Sequence, residues 1–278
     1  MRHPTLFALL AGGALLLSAC GQTDVTRAID RVTADEADSI RDIMLTVAEP
    51  DEAISFFKAR VQEDPTVLDD QRGLARSLVR GGRHAEAVLA WRRVTEHEDA
   101  VNDDTVELAD ALIRTSDWET AKQVLDSVPP THETFERYRL EAMVADSNRQ
   151  WTRADSFYET AVDLTTTPAK VLNNWGFSKL TRGDTEAAER LFTEAITYER
   201  DLFTAKNNLV LARAARRTYT LPIVPMTAEE RAQLLHTSGL AAIKQGDVDI
   251  GRNLLEEAIA THPRHFEPAA RALRALGA

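Results

Sequence analysis

The stretch that decides the fold is 172–195, LNNWGFSKLTRGDTEAAERLFTEA. Its landmarks are a small residue, a glycine turn, an alanine, an aromatic residue and a second alanine: Gly176, Gly183, Ala188, Phe192 and Ala195. The first of these alanines recurs along the chain at steps of 33 or 34 residues, at Ala53, Ala87, Ala121, Ala154 and Ala188. Self-similarity at such a period predicts stacked units, each of which buries its apolar face only against its neighbours.

This pattern resembles the tetratricopeptide repeat, a pair of antiparallel helices in each unit. The resemblance implies an all-α fold, a right-handed α-solenoid (superhelix) of stacked helix-turn-helix hairpins over residues 34–278. The predicted repeats lie near 34–67, 68–101, 102–134, 135–168 and 169–202, with a last repeat at 232–265 and a C-terminal helix at 266–276. Between them come a partial repeat at 203–218 and an apolar linker at 219–226.

Residue size along the repeat predicts the core. A small residue in the first helix, such as Gly176 or Gly239, allows two helices to approach closely. The recurring alanine of the second helix packs against it, and a large residue four positions later fills the layer between hairpins. We expect that large residue to be buried in each repeat, at Phe57, Trp91, Leu125, Tyr158 and Phe192.

Charged residues depart from the pattern near the N-terminus. Arg41 and Arg60 stand where other repeats have small residues, which predicts a capping repeat that faces water. The acidic pairs Asp69-Asp70 and Asp103-Asp104 precede apolar runs, which predicts helix caps and solvated faces.

The linker 219–226, YTLPIVPM, is apolar and contains two prolines, which exclude a second helix there. Two roles remain open. The linker is either an extended plug that covers the core in place of the helix, or a docking strip for a partner or for the chain's own groove.

The N-terminus has the features of an export signal: Arg2, an apolar run from Leu6 to Leu17, and small residues before Cys20. Residues 1–19 resemble a bacterial lipoprotein signal, which implies cleavage, acylation of Cys20 and a lipidated tether at 20–33. Gly21 after the cysteine resembles the sorting signal for the outer membrane, with the protein facing the periplasm. The alternative is an ordinary signal peptide with a chance cysteine.

Composition excludes several classes of function. The 278 residues carry a formal net charge of −11, which argues against nucleic acid and anionic lipid surfaces as partners. With one cysteine in the whole chain, no disulfide framework is available to an exported body.

No catalytic motif is present. The chain has no Gly-x-Ser-x-Gly elbow, no Gly-rich phosphate loop and no His-Glu-x-x-His. The run His262-Pro263-Arg264-His265 falls in a predicted turn and favours a structural role over a metal site. We therefore expect a protein that is not an enzyme, with no cofactor, no metal and no small-molecule substrate.

Binding is the function that remains. In the tetratricopeptide family an asparagine of the first helix often grips the backbone of an extended peptide on the concave face, since an amide offers both a donor and an acceptor. The resemblance implies a peptide-binding role for Asn173, Asn174, Asn207 and Asn208, with Lys170, Lys206 and Arg213 as neighbouring cations. The alternative is that these asparagines are repeat residues that bond neighbouring helices.

Two further stretches resemble the TadD lipoproteins of tight-adherence (Tad, or Flp) pilus systems: VLNNWG at 171–176 with AKNNLVL at 205–211, and LPIVPM at 221–226 with AAIKQGD at 241–247. This resemblance implies a scaffold that binds other proteins and assists assembly of the outer-membrane secretin or other pilus components. The alternative is an adaptor that recruits or regulates a periplasmic peptidoglycan enzyme or an outer-membrane assembly complex.

Overall fold

Helices are the only regular secondary structure between residues 38 and 277, the part of the chain that the computed structural model describes. The predicted all-α fold is confirmed for these residues. No helix among them is long and apolar enough to cross a bilayer. The predicted signal at 1–19, Cys20 and the tether at 20–33 lie outside the described residues.

The chain divides into two compact units between Ala100 and Val101, and each is described by itself. The first unit contains α1 (residues 38–46), α2 (Pro50–Glu63), α3 (Leu68–Arg80) and α4 (His84–Thr95). The second unit contains α5 (Asn102–Arg114), α6 (Trp118–Ser127), α7 (Phe135–Ser147), α8 (Trp151–Asp163), α9 (Ala169–Thr181), α10 (Thr185–Tyr198), α11 (Phe203–Ala215), α12 (Ala228–Lys244), α13 (Val248–Thr261) and α14 (Glu267–Leu276).

The second unit is a stack of hairpins. Within each hairpin the first and second helices pack together, as α5 with α6, α7 with α8, α9 with α10 and α12 with α13. The first helices of successive hairpins also touch, so that α5, α7, α9, α11 and α12 form a continuous row. This row is the scaffold on which the candidate binding residues lie.

The recurring alanine is buried in both units. The five alanines at 53, 87, 121, 154 and 188 are each 0% exposed, and the large residues four positions later are at most 2% exposed. Close approach explains the glycine of the best repeat, because a Cβ added to Gly176 would lie 2.7 Å from Cε1 of Phe192. The repeat pattern therefore predicted the core correctly.

The turn inside each hairpin uses the left-handed backbone region. Glycines occupy it at Gly82, Gly183 and Gly246, with φ of 71°, 84° and 88°. At the matching position of three other repeats the same region is adopted by Ser116, Arg149 and Arg217. Left-handed backbone is unfavourable for a residue with a Cβ, so the fold imposes this turn even where the sequence supplies no glycine.

In the first unit, Arg41 and Arg60 both pair with Asp70. The Arg41 side chain is 15% exposed, so the prediction that it faces water is wrong, whereas the Arg60 side chain is 37% exposed and reaches solvent. Both donate to Asp70, Arg41 Nε to Oδ1 at 2.8 Å and Arg60 Nε to Oδ2 at 3.1 Å. The Asp70 side chain is 1% exposed, so the expectation of a solvated face is also wrong for this residue. Burial opposes its ionisation, but hydrogen bonds from the two arginines outweigh burial and lower its pKa.

The linker covers the seam between α11 and α12 and has the contacts of a plug. Tyr219 is buried against Ala214 and Ala242, while Leu221 and Val224 pack against the apolar clusters on either side. Ile223 is the exception, because its side chain is fully exposed. Of the two roles that the sequence left open, these contacts favour the plug.

The histidines near the end of α13 have structural contacts. The His262 ring stacks on Phe266 with a centroid distance of 4.9 Å, and its Nδ1 accepts from the backbone N–H of Arg264. Nowhere in residues 38–277 do three metal-ligating side chains come together.

Candidate binding face

The row of first helices places the predicted asparagines on one surface, which we call the first-helix face. It is the side of α7, α9, α11 and α12 that carries Arg139, Asn173, Asn207 and His236. These four residues occupy the same repeat position, three residues before the small site. The face therefore presents one polar position from each of four successive first helices.

Three of the four asparagines form hydrogen bonds to a neighbouring first helix. Asn208 Nδ2 of α11 donates to Asn173 Oδ1 of α9 at 3.0 Å. One helix further along, Thr237 Oγ1 of α12 donates to Asn207 Oδ1 at 2.8 Å. The two bonds repeat the same register step, which is the arrangement expected if these residues tie adjacent hairpins together. Each amide keeps further donors or acceptors for a ligand.

Lys206 is committed to an internal ion pair. Its side chain is 1% exposed, and Nζ lies 3.0 Å from both carboxylate oxygens of Glu230. Burial opposes ionisation of Glu230, but the N–H of Thr227 and the Lys206 ammonium outweigh it and lower the pKa of this carboxyl. A ligand at this point would have to displace Glu230.

The other two predicted cations differ from each other. Arg213 Nη1 donates to Glu189 Oε1 at 3.2 Å and Nη2 lies 3.5 Å from Thr220 Oγ1, so Arg213 joins α11 to α10 and to the linker. Lys170 is exposed and makes no hydrogen bond or ion pair within the described residues. It is thus the predicted cation that a ligand can reach most directly.

A row of apolar side chains lies one turn beyond the polar position, and sequence reasoning missed it. Phe177 is 51% exposed and Leu240 is 43% exposed, while Leu211 and Met143 are half-buried at the matching positions. Asn174 Nδ2 of α9 lies 3.4 Å from Met143 Sδ, so the α7 member of the row contacts the neighbouring first helix. The signal was present in the sequence, since each of these residues directly follows the small site of its repeat.

The acidic groups behind the face hold hairpins together. Asp155 of α8 accepts from Arg182, Lys179 and Trp175, all at 2.7 to 2.9 Å and all on or beside α9. Burial opposes its ionisation, but these donors outweigh burial and lower the pKa of Asp155 to about 2. Asp146 accepts from Ser178 and Tyr158, yet burial dominates there and raises its pKa. Neither carboxylate is offered to a ligand.

The first-helix face can therefore supply amide hydrogen bonds beside exposed apolar side chains. That chemistry suits an extended polypeptide, whose backbone takes the amides and whose side chains take the apolar positions.

Residues 236–278 match the family model of the tetratricopeptide repeat. No curated protein matches the chain by sequence. Among solved structures, a tetratricopeptide repeat protein from Parabacteroides merdae has a TM-score of 0.57 and 12% identity, and the match covers 86% of this chain and 97% of that one.

Two larger proteins contain the same fold. A chain of the APC/C hetero-tetramer Cut9–Hcn1 has a TM-score of 0.59 and 13% identity over 81% of this chain, which spans only 46% of that chain's length. Human IFIT1, solved as a dimer with m7Gppp-AAAA, has a TM-score of 0.59 and 14% identity over 82% of this chain and 58% of its own. At these identities the likeness shows the fold alone. The predicted fold of stacked helical hairpins is confirmed.

Proposed function

We propose that this chain is a non-catalytic scaffold that binds other proteins through its first-helix face. The observation that carries the proposal is the repetition of the same surface on four successive first helices. An amide or polar side chain is followed one turn later by Met143, Phe177, Leu211 or Leu240. Regular spacing of this kind fits a long ligand, because each hairpin adds one more subsite.

The test of the scaffold is a pull-down with the chain from residue 21 onward against membrane extracts. Phe177→Glu with Leu240→Glu should lose the partner, since a charge replaces each exposed apolar contact. Leu89→Glu is the matched control, because Leu89 is 60% exposed but lies in the first unit. Equal recovery of the partner by the wild-type chain, the double variant and Leu89→Glu would contradict the proposal.

The double variant Asn174→Ala with Asn208→Ala separates the two roles of the asparagines. The variant removes the Asn208–Asn173 bond, which should lower the free energy of unfolding by about 1 kcal/mol. Loss of partner binding would assign the asparagines to the ligand, and retained binding with this loss of stability would assign them to bonds between helices.

The proposal extends to location. We place the protein at the periplasmic side of the outer membrane, held by lipid on Cys20, because residues 1–20 resemble a lipoprotein signal. One acyl chain binds a bilayer weakly and two or more bind stably. Cys20→Ser should therefore move the protein from the membrane fraction to the soluble fraction, and persistence in the membrane would refute the anchor.

The partner that we propose is the secretin or another assembly component of a Tad (Flp) pilus, on the strength of the stretches at 171–176, 205–211, 221–226 and 241–247. A deletion strain should fail to form secretin multimers and pili, and expression of the wild-type chain should restore both. Normal pili in the deletion strain would refute the pilus role. A peptidoglycan synthase or hydrolase recovered with the chain would support the adaptor alternative instead.

A further inference from the structure

One member of the apolar row on the first-helix face contains sulfur. The row consists of Met143, Phe177, Leu211 and Leu240, and all but Met143 have hydrocarbon side chains. Met143 is half-buried, so part of this residue contacts solvent. Methionine is one of the two residue types that mild oxidants modify through sulfur. An oxidisable side chain therefore lies within the proposed binding surface.

Two nitrogen donors lie against the sulfur of Met143. Asn174 Nδ2 of α9 is 3.4 Å from Sδ, and Arg139 Nη1 of α7 is 3.6 Å from it. Arg139 is also held from its other side, because Nη2 donates to Asp110 Oδ1 at 3.2 Å. A thioether is a weak acceptor, so an amide and a guanidinium are both directed at an atom that binds them poorly.

The methionines elsewhere in the described residues lack this arrangement. Met44 of α1 and Met226 of the linker are also half-buried, but no nitrogen donor within residues 38–277 contacts either sulfur. The polar surroundings of Met143 come from two first helices, α7 and α9. They distinguish this sulfur from two others of similar burial, and those two serve as controls.

We infer that Met143 is a site of reversible oxidation to methionine sulfoxide, and that this modification weakens binding of a partner to the first-helix face. The sulfoxide oxygen is one bond from the sulfur, within reach of the Asn174 amide and the Arg139 guanidinium. It is a strong acceptor, and the bond from the guanidinium is assisted by charge. The inference rests on the proposed scaffold function but not on the pilus assignment.

The oxidant is a peroxide, which transfers one oxygen atom. A lone pair of Sδ attacks one oxygen of hydrogen peroxide, the S–O bond forms and the O–O bond breaks. Sulfur loses two electrons and the peroxide gains them. The departing hydroxide takes the proton of the transferred hydroxyl and leaves as water. A methionine sulfoxide reductase, supplied with electrons by a thiol, restores the thioether.

Oxidation changes one subsite of the face from apolar to polar. The sulfoxide is polar and is held by its two donors, so an apolar side chain of a ligand no longer gains free energy by packing on it. A ligand that lies along the whole row loses one apolar contact of four. Its affinity should therefore fall by about fivefold to tenfold instead of being abolished.

The first experiment treats the purified full chain with hydrogen peroxide and maps sulfoxides by peptide mass spectrometry. Met143 should be oxidised at peroxide concentrations that leave the chain folded, as thermal melting reports, and a methionine sulfoxide reductase should restore it. In Asn174→Ala the sulfoxide has one donor fewer, so oxidation should lower the melting temperature more than in wild type. A Met143 that stays reduced until the chain unfolds would overturn the inference.

The second experiment oxidises the full chain alone, removes the peroxide with catalase and then repeats the pull-down from untreated membrane extracts. Recovery of the partner by the wild-type chain should fall about fivefold to tenfold, and treatment with the reductase should restore it. Met143→Leu keeps an apolar side chain without sulfur, so its recovery should be normal and insensitive to peroxide. Met226→Leu is the matched control and should stay as sensitive as wild type.

A polar side chain at the same position tests the effect without an oxidant. Met143→Gln should lower recovery of the partner in the absence of peroxide, with thermal melting as the check that the fold is retained. Peroxide sensitivity that persists in Met143→Leu would overturn the inference, and so would normal recovery by Met143→Gln.

Failure of the oxidation site and failure of the scaffold give different results. If peroxide leaves recovery by the wild-type chain unchanged while Phe177→Glu with Leu240→Glu still abolishes it, regulation by oxidation is excluded and the scaffold stands. If the double variant recovers the partner normally, the first-helix face is not the binding surface and both proposals fail.

Discussion

Two neighbouring hairpins of the second unit close the same repeat by different physical means. In the α9–α10 hairpin, Gly176 lets Phe192 pack directly against the first helix, and the second helix supplies the rest of the layer. After α11 no second helix is present, and an extended linker lies over the seam instead. The comparison shows that a solenoid can continue past a missing helix if something else satisfies the exposed core and backbone.

In the broken hairpin, hydrogen bonds attach the linker to α12 and to the turn that follows it. The Tyr219 hydroxyl donates to Asp247 Oδ2 at 2.5 Å and lies 3.2 Å from Gln245 Oε1, and Arg217 pairs with Asp247 at 2.9 Å. Ser238 Oγ donates to the Tyr219 carbonyl at 2.8 Å. Apolar packing contributes to both, but only in the broken hairpin do side-chain hydrogen bonds fix an extended chain.

The largest expected effect comes from the core of the regular hairpin. Phe192→Ala should lower the free energy of unfolding by about 3–5 kcal/mol, because it leaves a cavity under Gly176 that the packed helices cannot fill. Met226, the residue 34 positions later in the linker, is only half-buried, so Met226→Ala should cost about 1 kcal/mol or less. Urea denaturation measures both, and equal costs would contradict the contrast between the hairpins.

The hydroxyl of Tyr219 tests the polar attachment of the linker. Tyr219→Phe should destabilise by about 1–2 kcal/mol, because it removes a hydrogen bond to a carboxylate that also pairs with Arg217. It should also speed proteolysis within 219–226. Tyr198→Phe is the control, since Tyr198 is 56% exposed, and it should change neither measurement. A linker that stays resistant in Tyr219→Phe would show that apolar contacts alone hold it.

Low pH should weaken the packing of α9 against α8, because it protonates Asp155. The pKa of this carboxyl is about 2 in the folded protein against 3.8 for the free group. Its contribution to the free energy of unfolding is therefore fully present above pH 3.8 and is lost as the pH falls toward 2. With allowance for solvent screening the contribution is about 1 kcal/mol.

The variant Asp155→Asn should therefore be less stable at neutral pH and should lose less stability between pH 4 and pH 2, as followed by urea titrations at each pH. Asp126→Asn, which removes an exposed ion pair with Lys122, should leave the neutral-pH stability close to wild type. A parallel acid dependence in wild type and Asp155→Asn would exclude this role for Asp155.

The smallest effect concerns the left-handed turns. Arg149→Gly should stabilise the protein by about 0.5–1 kcal/mol, because φ is 57° there and the exposed side chain has no hydrogen bond or ion pair within the described residues. Arg217→Gly relieves the same backbone but also removes the pair with Asp247, so its net gain should be smaller or negative. Thermal melting compares the two, and an equal gain would show that the Arg217–Asp247 pair contributes nothing.

The sequence predicted the core far better than the binding face. Ala188 and its four counterparts were found from their spacing, because a buried small residue must recur wherever the same helix pair recurs. Lys206 resembled a ligand-binding cation, but its partner Glu230 lies 24 residues away and only packing of α11 on α12 brings them together. Asp70 was expected at a solvated helix start for the same reason, since Arg41 and Arg60 reach it from other helices.

The amino-acid sequence by itself determined the period, the helical class and the positions of the small and large core residues, because these follow from local spacing that each hairpin repeats. It also showed where the period breaks, through the prolines of 219–226. The tertiary structure alone decided which charges are paired, how Tyr219 and its partners close the broken hairpin, and which donors meet the sulfur of Met143. Those features depend on residues far apart in the chain whose distances are set only when the helices pack.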